Sequence, residues 1–497
     1  IALDAEAPAT VHARFGGFAA GDLPAERGFV EDSYAIEREE LLGEGSFSVV
    51  YRCTNRSTEQ PFAVKVLHRK WLRNSTQVGA ETRIMRLIDH PNIVRLVAFF
   101  EDKHSAYLVM ELCAGGELFD FIVDTAPVSE RSSALLLRQM LRAVGYLHQN
   151  SIMHRDLKAE NWLFASTDTA IDKRFLKLAD FGAAKRFNAG DFAYTKVGTP
   201  YYVAPEVLHG KYDNKVDIWS LGIVLHMMLG GSPPFVGRNT EEVLTQIRKS
   251  RVDVEAFGKA ISSNAKYVMA RMLDRDPEKR LPASELLQES WITLAVTAKG
   301  EDPEGADGVG FSYSHFKGFG NMTRLGKASL AVMASQMSRE AIADLERQFV
   351  ALDANSDGTL SFAELGVALQ RSGVKVGQGE LFELLGRVDA DGSGTIEYSE
   401  FISAMMDQTR LSTDNIYMSA FKALDLDNSG YIDRSELAKL FNFKEIRKQL
   451  QASGHGDAEV DAMCADLDKN GDGKIEYDEF MQMIGSWTGV GSASGEG

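Results

Sequence analysis

His154-Arg-Asp-Leu-Lys-Ala-Glu-Asn161 is the stretch on which the reading of this 497-residue chain turns. It is followed by Asp180-Phe-Gly182 and then by Ala204-Pro-Glu206. Transferring a phosphoryl group needs few covalent players. A carboxylate must orient an attacking hydroxyl and accept its proton, a lysine must stand near the moving phosphate, and oxygen ligands must hold Mg²⁺. Asp156, Lys158, Asn161 and Asp180 supply those chemistries in that order. Any one Asp could be a surface or capping residue, but the ordered set rarely arises by chance.

Upstream, Gly43-Glu-Gly45-Ser46-Phe-Ser-Val49 joins two strand-like runs, and its glycines let backbone N–H groups approach phosphates. The third glycine expected of such a loop is replaced by Ser48. Lys65, after Ala63 and Val64, ends an apolar strand. A lysine there is often only an edge residue. Following a glycine loop, it reads as a cation aimed at phosphates. Glu81, on a helical face with Ile84 and Leu87, is the carboxylate best placed to hold it.

These motifs resemble the eukaryotic protein kinase family over residues 34–291. The resemblance implies a two-lobed α+β fold, with lobes 34–113 and 114–291, and ATP in the cleft. It implies catalytic roles for Asp156, Lys158, Lys65 and Glu81. It places nucleotide contacts at Gly43, Gly45, Ser46, Val49, Ala63, Lys65, Met110 (the gatekeeper), Glu111 to Cys113 (the hinge), Glu117, Asn161 and Asp180. Lys158 resembles the serine/threonine form. Glu117 and Glu160 match positions that read basic residues beside the phosphoacceptor. Asp217, Glu206 and Arg280 resemble structural residues, Thr195 a phosphorylation position, and Arg155 its partner. Trp162 departs from the smaller aliphatic residue usual after Asn161, and is expected to alter packing near the adenine floor.

Charge divides the chain. The net charge is −17, yet residues 1–300 are close to neutral and the acidity falls on the remainder. An acidic half argues against nucleic acid and for cations or a basic peptide. Its cause is a segment repeated four times: 353–364, 389–400, 425–436 and 468–479. A calcium loop needs oxygen ligands at positions 1, 3, 5, 7, 9 and 12 and Gly at 6. Asp353, Asn355, Asp357, Thr359 and Glu364 meet this in the first loop. Asp389, Asp391, Ser393, Thr395 and Glu400 do so in the second. Asp425, Asp427, Ser429, Tyr431 and Glu436 serve the third, and Asp468, Asn470, Asp472, Lys474 and Glu479 the fourth. Gly358, Gly394, Gly430 and Gly473 occupy position 6. Up to four Ca²⁺ ions are therefore expected in an all-α, four-EF-hand domain at 338–485.

Between the halves lies Lys317–Met337, KGFGNMTRLGKASLAVMASQM. On a helical wheel Met322, Leu325, Leu330, Val332, Met333 and Met337 share one side and Arg324 and Lys327 the other. The pattern predicts a basic amphipathic helix within a linker and junction, 292–337. Residues 1–33 are expected to form an irregular arm and 486–497 a tail. A kinase domain, such a junction and four EF-hands resemble the calcium-dependent protein kinase family. That resemblance implies ATP- and Mg²⁺-dependent phosphorylation of Ser/Thr in protein substrates, those near basic residues preferred. Without calcium the junction helix is expected to be autoinhibitory, lying against the kinase and blocking or distorting it; calcium would let the chain's own EF-hands capture that helix and release the kinase, without separate calmodulin. The junction's apolar face would serve the sensor and its basic face the kinase. The alternatives are a calcium-sensing scaffold with an inactive kinase fold, and a constitutively active kinase with structural EF-hands.

Three cysteines without a CxxC pair fit a reducing compartment. No apolar run is long enough for a membrane span. The expectation is a cytoplasmic protein. Membrane association through an N-terminal lipid is left open, because the chain starts at Ile1 without an initiator Met.

Overall fold

The computed structural model describes residues 29–45, 48–68, 76–168, 170–171, 174–188, 192–195, 197–297, 312–322, 324–337, 339–372, 374, 377–389, 392–406, 414–425, 429–441, 464–465 and 467–488. The first lobe is a five-stranded antiparallel sheet: β1 (Tyr34–Glu44), β2 (Ser48–Asn55), β3 (Pro61–His68), β4 (Leu96–Glu101) and β5 (Ser105–Glu111), in the order β1-β2-β3-β5-β4. The central β3, PFAVKVLH, is buried from Phe62 to Leu67, as a strand covered on both faces should be. Its pairing sets Ala63 opposite Met110 and Lys65 opposite Leu108. The segment expected to be an irregular arm ends in a helical turn, Val30–Ser33, whose Val30 is buried with Tyr34 and Phe62.

The second lobe is mainly helical. Helix Glu130–Gln149 opens on Ser129, whose hydroxyl accepts from Ser132 N–H, and buries Leu137, Leu141 and Val144 on one stripe. Helix Lys215–Gly230 is apolar nearly all round and correspondingly buried. It stops at Gly231, whose φ of 76° suits a left-handed cap. The lobe runs past the expected boundary at 291: helix Ser290–Thr297 buries Trp291, Ile292 and Ala295 in the same core.

The junction is two helices rather than one, Tyr313–Gly320 and Arg324–Gln336. Asn321 closes the first by donating its N–H to the carbonyls of Lys317 and Gly318. Beyond them, two short ladders join calcium loops in pairs: Thr359–Leu360 with Ile396–Glu397, and Ile432–Asp433 with Lys474–Ile475. Among the described residues, no helix is long and apolar enough to cross a membrane.

Candidate functional site: the interlobe cleft and the calcium loops

Two left-handed, non-glycine residues frame the cleft, Arg155 (φ 69°) and Asp180 (φ 61°). Such backbone costs energy and persists where surroundings enforce it. At Arg155 the enforcement is visible. Asp217, fully buried, accepts the N–H groups of His154 and Arg155 at 2.9 Å each, and His148 Nε2 lies 2.9 Å from the same carboxylate. Burial would raise the Asp217 pKa, but these bonds and the neighbouring histidines hold it below the usual value. The loop that carries Asp156 is thus fastened to the helix beneath it.

Asp156 Oδ1 accepts both the N–H and the hydroxyl of Thr199 at 2.9 Å, and Lys158 Nζ stands 3.8 Å from its other oxygen. Asn161 donates its side-chain N–H to the Asp156 carbonyl at 2.9 Å. Its amide nitrogen is thereby committed, and its oxygen is the atom suited to a cation. Across the cleft, Lys65 Nζ contacts Glu81 at 2.6 Å and Asp180 at 2.8 Å. Burial alone would lower the Lys65 pKa; the two carboxylates outweigh it and raise it. For Asp180 the opposing effects of burial and Lys65 leave the pKa lowered to about 2. The structure therefore brings together Lys65, Glu81 and Asp180, and separately Asp156, Lys158 and Asn161. The side-chain oxygens of Asn161 and Asp180 fit the hard ligands that Mg²⁺ prefers.

Gly43 lies on β1, and the turn beyond it is closed by Gly45 N–H donating to the Ser48 carbonyl at 2.8 Å. Val49 follows on β2; Ser46 lies outside the described residues. Met110 and Glu111 end β5, and Cys113 packs against the core beyond it. Glu117 has its pKa raised by burial, then by Asp120 and Glu160. Glu160 accepts the Tyr202 hydroxyl at 3.0 Å. Arg155 reaches the Thr195 hydroxyl at 2.9 Å, and Glu206 pairs with buried Arg280. Trp162 is wholly buried in the core, pairing with Leu178, and its indole N–H has no hydrogen-bond partner among the described residues.

All four calcium loops share one turn. The position-6 glycines have φ of 82–87°, and each donates its N–H to the first Asp of its loop at 2.7–3.1 Å. Each position-12 Glu accepts the N–H of position 9, at Ser361, Glu397, Asp433 and Glu476. Asp391 and Asp427 lie outside the described residues. Among the described residues no three acidic groups converge on one point. Glu364 Oε1 instead accepts the N–H of Ala354 and Asn355, and Glu479 Oε1 those of Lys469 and Asn470. A hard-oxygen donor set around a left-handed glycine fits Ca²⁺.

The junction helix Arg324–Gln336 buries Leu330, Met333 and Ala334 among EF-hand residues such as Phe401, Met405 and Phe421, with Met322, Val332 and Met337 packed at the margin. Of its expected basic face, Lys327 turns to the sensor and not to the kinase: it is buried, bonds the Arg387 carbonyl and lies over the Phe319 ring. A single lysine can bury its stem and still find an acceptor, which the wheel does not reveal. The side chains of Arg324 and Leu325 lie outside the described residues.

Sequence reasoning missed the contacts between sensor and kinase. Lys177, three residues before Asp180, sits between Glu111 at 3.0 Å and Glu346 at 2.9 Å, and Tyr398 donates to the same Glu346 oxygen. Arg142 reaches Asp353 at 2.7 Å. Asp89 accepts Ser399 N–H, Arg95 caps the junction helix at the Ala334 and Ser335 carbonyls, and Asn55 bonds Gln336. The available signal was charge inside apolar patterns: Lys177 in FLKLADF and Arg142 in LLLRQMLRAVGYL.

Fold and site together define a protein kinase carrying paired EF-hands. The protein kinase domain model matches residues 36–292, and the EF-hand domain pair model matches 342–406 and 414–485. Calcium-dependent protein kinase 3 of Plasmodium berghei is 37% identical over 92% of this chain and 81% of its own length. Calcium-dependent protein kinase 17 of Arabidopsis thaliana is 37% identical over 92% of this chain and 84% of its own. The chain belongs to the calcium-dependent protein kinase family.

Proposed function

We propose that this chain transfers the γ-phosphoryl group of ATP to serine or threonine of protein substrates when calcium loads its own sensor. Asp156 takes the proton of the incoming hydroxyl, and Lys158 beside it faces the moving phosphoryl group. Lys65, oriented by Glu81, holds the nucleotide phosphates under the Gly43–Gly45 turn, with Val49, Ala63, Met110 and the Glu111–Cys113 backbone around the base. Asn161 and Asp180 hold Mg²⁺, which neutralises charge developing on the phosphates when bound. Glu117 and Glu160 favour a basic residue near the phosphoacceptor; burial first, and then the charges of Asp120 and Glu160, raise the Glu117 pKa, and an arginine there would pair with those carboxylates.

The observation that carries the reading is the closed Lys65–Glu81–Asp180 contact in the same structure whose sensor grips the kinase through Lys177 and Arg142. Calcium shifts the balance only if it binds this docked arrangement better than another. The docked sensor and the junction helix within it are that arrangement, so a displaced sensor leaves the hinge and the strand before Asp180 without support. The test is phosphate incorporation into a basic Ser peptide, in chelator and in free Ca²⁺, for wild type and Asp156→Asn. Activity in Ca²⁺ alone, lost in the variant, is expected. Equal activity with and without calcium would exclude the switch, and an active Asp156→Asn would exclude the assigned chemistry.

A further inference from the structure

The four calcium loops are alike in turn geometry but not in surroundings. A Cβ built on Gly394, Gly430 or Gly473 meets nothing within 4 Å. One built on Gly358 would lie 2.7 Å from His90 Cδ2 and 2.9 Å from Tyr146 Cδ2. Loop one is therefore seated on the kinase domain. Its first ligand goes further. Asp353 is almost completely buried, and the oxygen that accepts Gly358 N–H also accepts Arg142 Nη2 at 2.7 Å. Arg142 comes from helix Glu130–Gln149 of the kinase and is 1% exposed. Arg138, one turn earlier on that helix, is a second cation within electrostatic reach of Asp353.

Loop one is also the poorest in charge. Its ligand positions carry three carboxylates, Asp353, Asp357 and Glu364, with Ser361 at position 9. The other loops carry a fourth there: Glu397, Asp433 and Glu476. Ligand charge count and site rigidity set the affinity of such a loop. Arg142 acts on both in opposite directions. It fixes the Asp353 rotamer, which favours binding, and neutralises that carboxylate beside an incoming dication, which opposes it. In a buried site the repulsion between a guanidinium and a dication exceeds the benefit of fixing one side chain.

We propose that loop one is a calcium site shared between the two domains, in which Arg142 of the kinase neutralises the first ligand and lowers calcium affinity about tenfold or more. Loop one then fills after its paired loop two. Linkage is reciprocal: calcium entering loop one weakens the Arg142–Asp353 contact by the same factor. Loading of the other three loops and loading of loop one thus have different consequences for docking. The proposal rests on the reading of the four segments as calcium sites.

The position-6 glycine amides give one reporter per loop, because each donates to the first ligand of its loop. Full-length chain labelled with ¹⁵N-glycine is titrated with Ca²⁺, and the four amide shifts are followed separately. In wild type, Gly358 is expected to reach its midpoint at higher calcium than Gly394. In Arg142→Met the Gly358 midpoint moves about tenfold or more to lower calcium, while Gly430 and Gly473 move less than about twofold. Arg142→Lys, which keeps the charge, stays within about threefold of wild type. Arg142→Gln repeats the neutral test should the Met variant lose its folded spectrum. A Gly358 midpoint that is unchanged or raised in the neutral variants overturns the proposal, as does a shift of equal size in Arg142→Lys. If none of the four amides responds to calcium, the reading of the loops as calcium sites fails instead.

Discussion

Replacing Glu346 by Leu tests whether the sensor holds the kinase through buried charge. Glu346 and Lys177 are both at most 1% exposed and 2.9 Å apart. Two unit charges at that distance attract by about 6 kcal/mol at an effective dielectric of ~20. Part of this is offset on removal. Lys177 keeps Glu111 at 3.0 Å, and the repulsion between the two carboxylates that share its ammonium disappears. Breaking one partner of a buried pair costs about 3–5 kcal/mol, and the retained Glu111 argues for the lower end. Tyr398 also loses its acceptor at 2.8 Å, a cost of about 1 kcal/mol that the relieved repulsion between the two carboxylates offsets. A net loss of about 3 kcal/mol is roughly 150-fold in the docking equilibrium.

Hydrogen exchange reads that equilibrium where the two domains meet. Ser399 N–H donates to Asp89 of the kinase, so its exchange in saturating calcium should accelerate by about two orders of magnitude. Half-maximal activity should require more calcium. Exchange at Ser399 within about threefold of wild type in the variant would refute the reasoning.

Two further outcomes are expected. Asp156→Asn should lower turnover about 10²–10⁴-fold, the usual range for a lost general base, with the KM for ATP little changed; a comparable rise in that KM would place Asp156 in nucleotide binding instead. Asp89 has its pKa raised to about 6, chiefly by burial, against the opposing effects of Ser399, Arg95 and Lys177. Its folded value lies above the ordinary 3.8, so the stability it contributes is full below that value and is lost as pH rises through 6, roughly 3 kcal/mol in all. Asp89→Asn should therefore flatten the change in melting temperature between pH 4 and pH 6.5, and a slope equal to wild type would count against it.

What was legible in the sequence was whatever a local spacing enforces. The four loops read correctly as turns because a calcium loop is a local object, in which glycine φ, first ligand and last ligand lie within twelve residues. The catalytic loop and the β3 lysine were legible for a related reason. Their residue types are dictated by chemistry rather than by neighbours, so Asp156, Asn161 and Asp180 could be named as candidates before any contact was known. The junction was half legible. Its apolar side gave the burial of Leu330 and Met333, but the wheel implied one helix and a kinase-facing Lys327. Asn321 ends the first helix, and Lys327 finds the Arg387 carbonyl inside the sensor.

The docking contacts were illegible because they join residues far apart in sequence, and charge at such positions reads as solvated surface. Arg142 and Lys177 show how that inference could be improved. A cation set in a helix stripe or strand that is otherwise apolar is too costly to bury alone. Its presence therefore predicts a partner carboxylate from elsewhere in the chain. Here the acidic half supplies one to each: Asp353 to Arg142 and Glu346 to Lys177. The charge imbalance between the halves is therefore not only an ion-binding device. Among the described residues two of its carboxylates pair with cations of the kinase itself, and one of those two is also a calcium ligand position. That overlap ties metal occupancy to domain contact without an intervening relay.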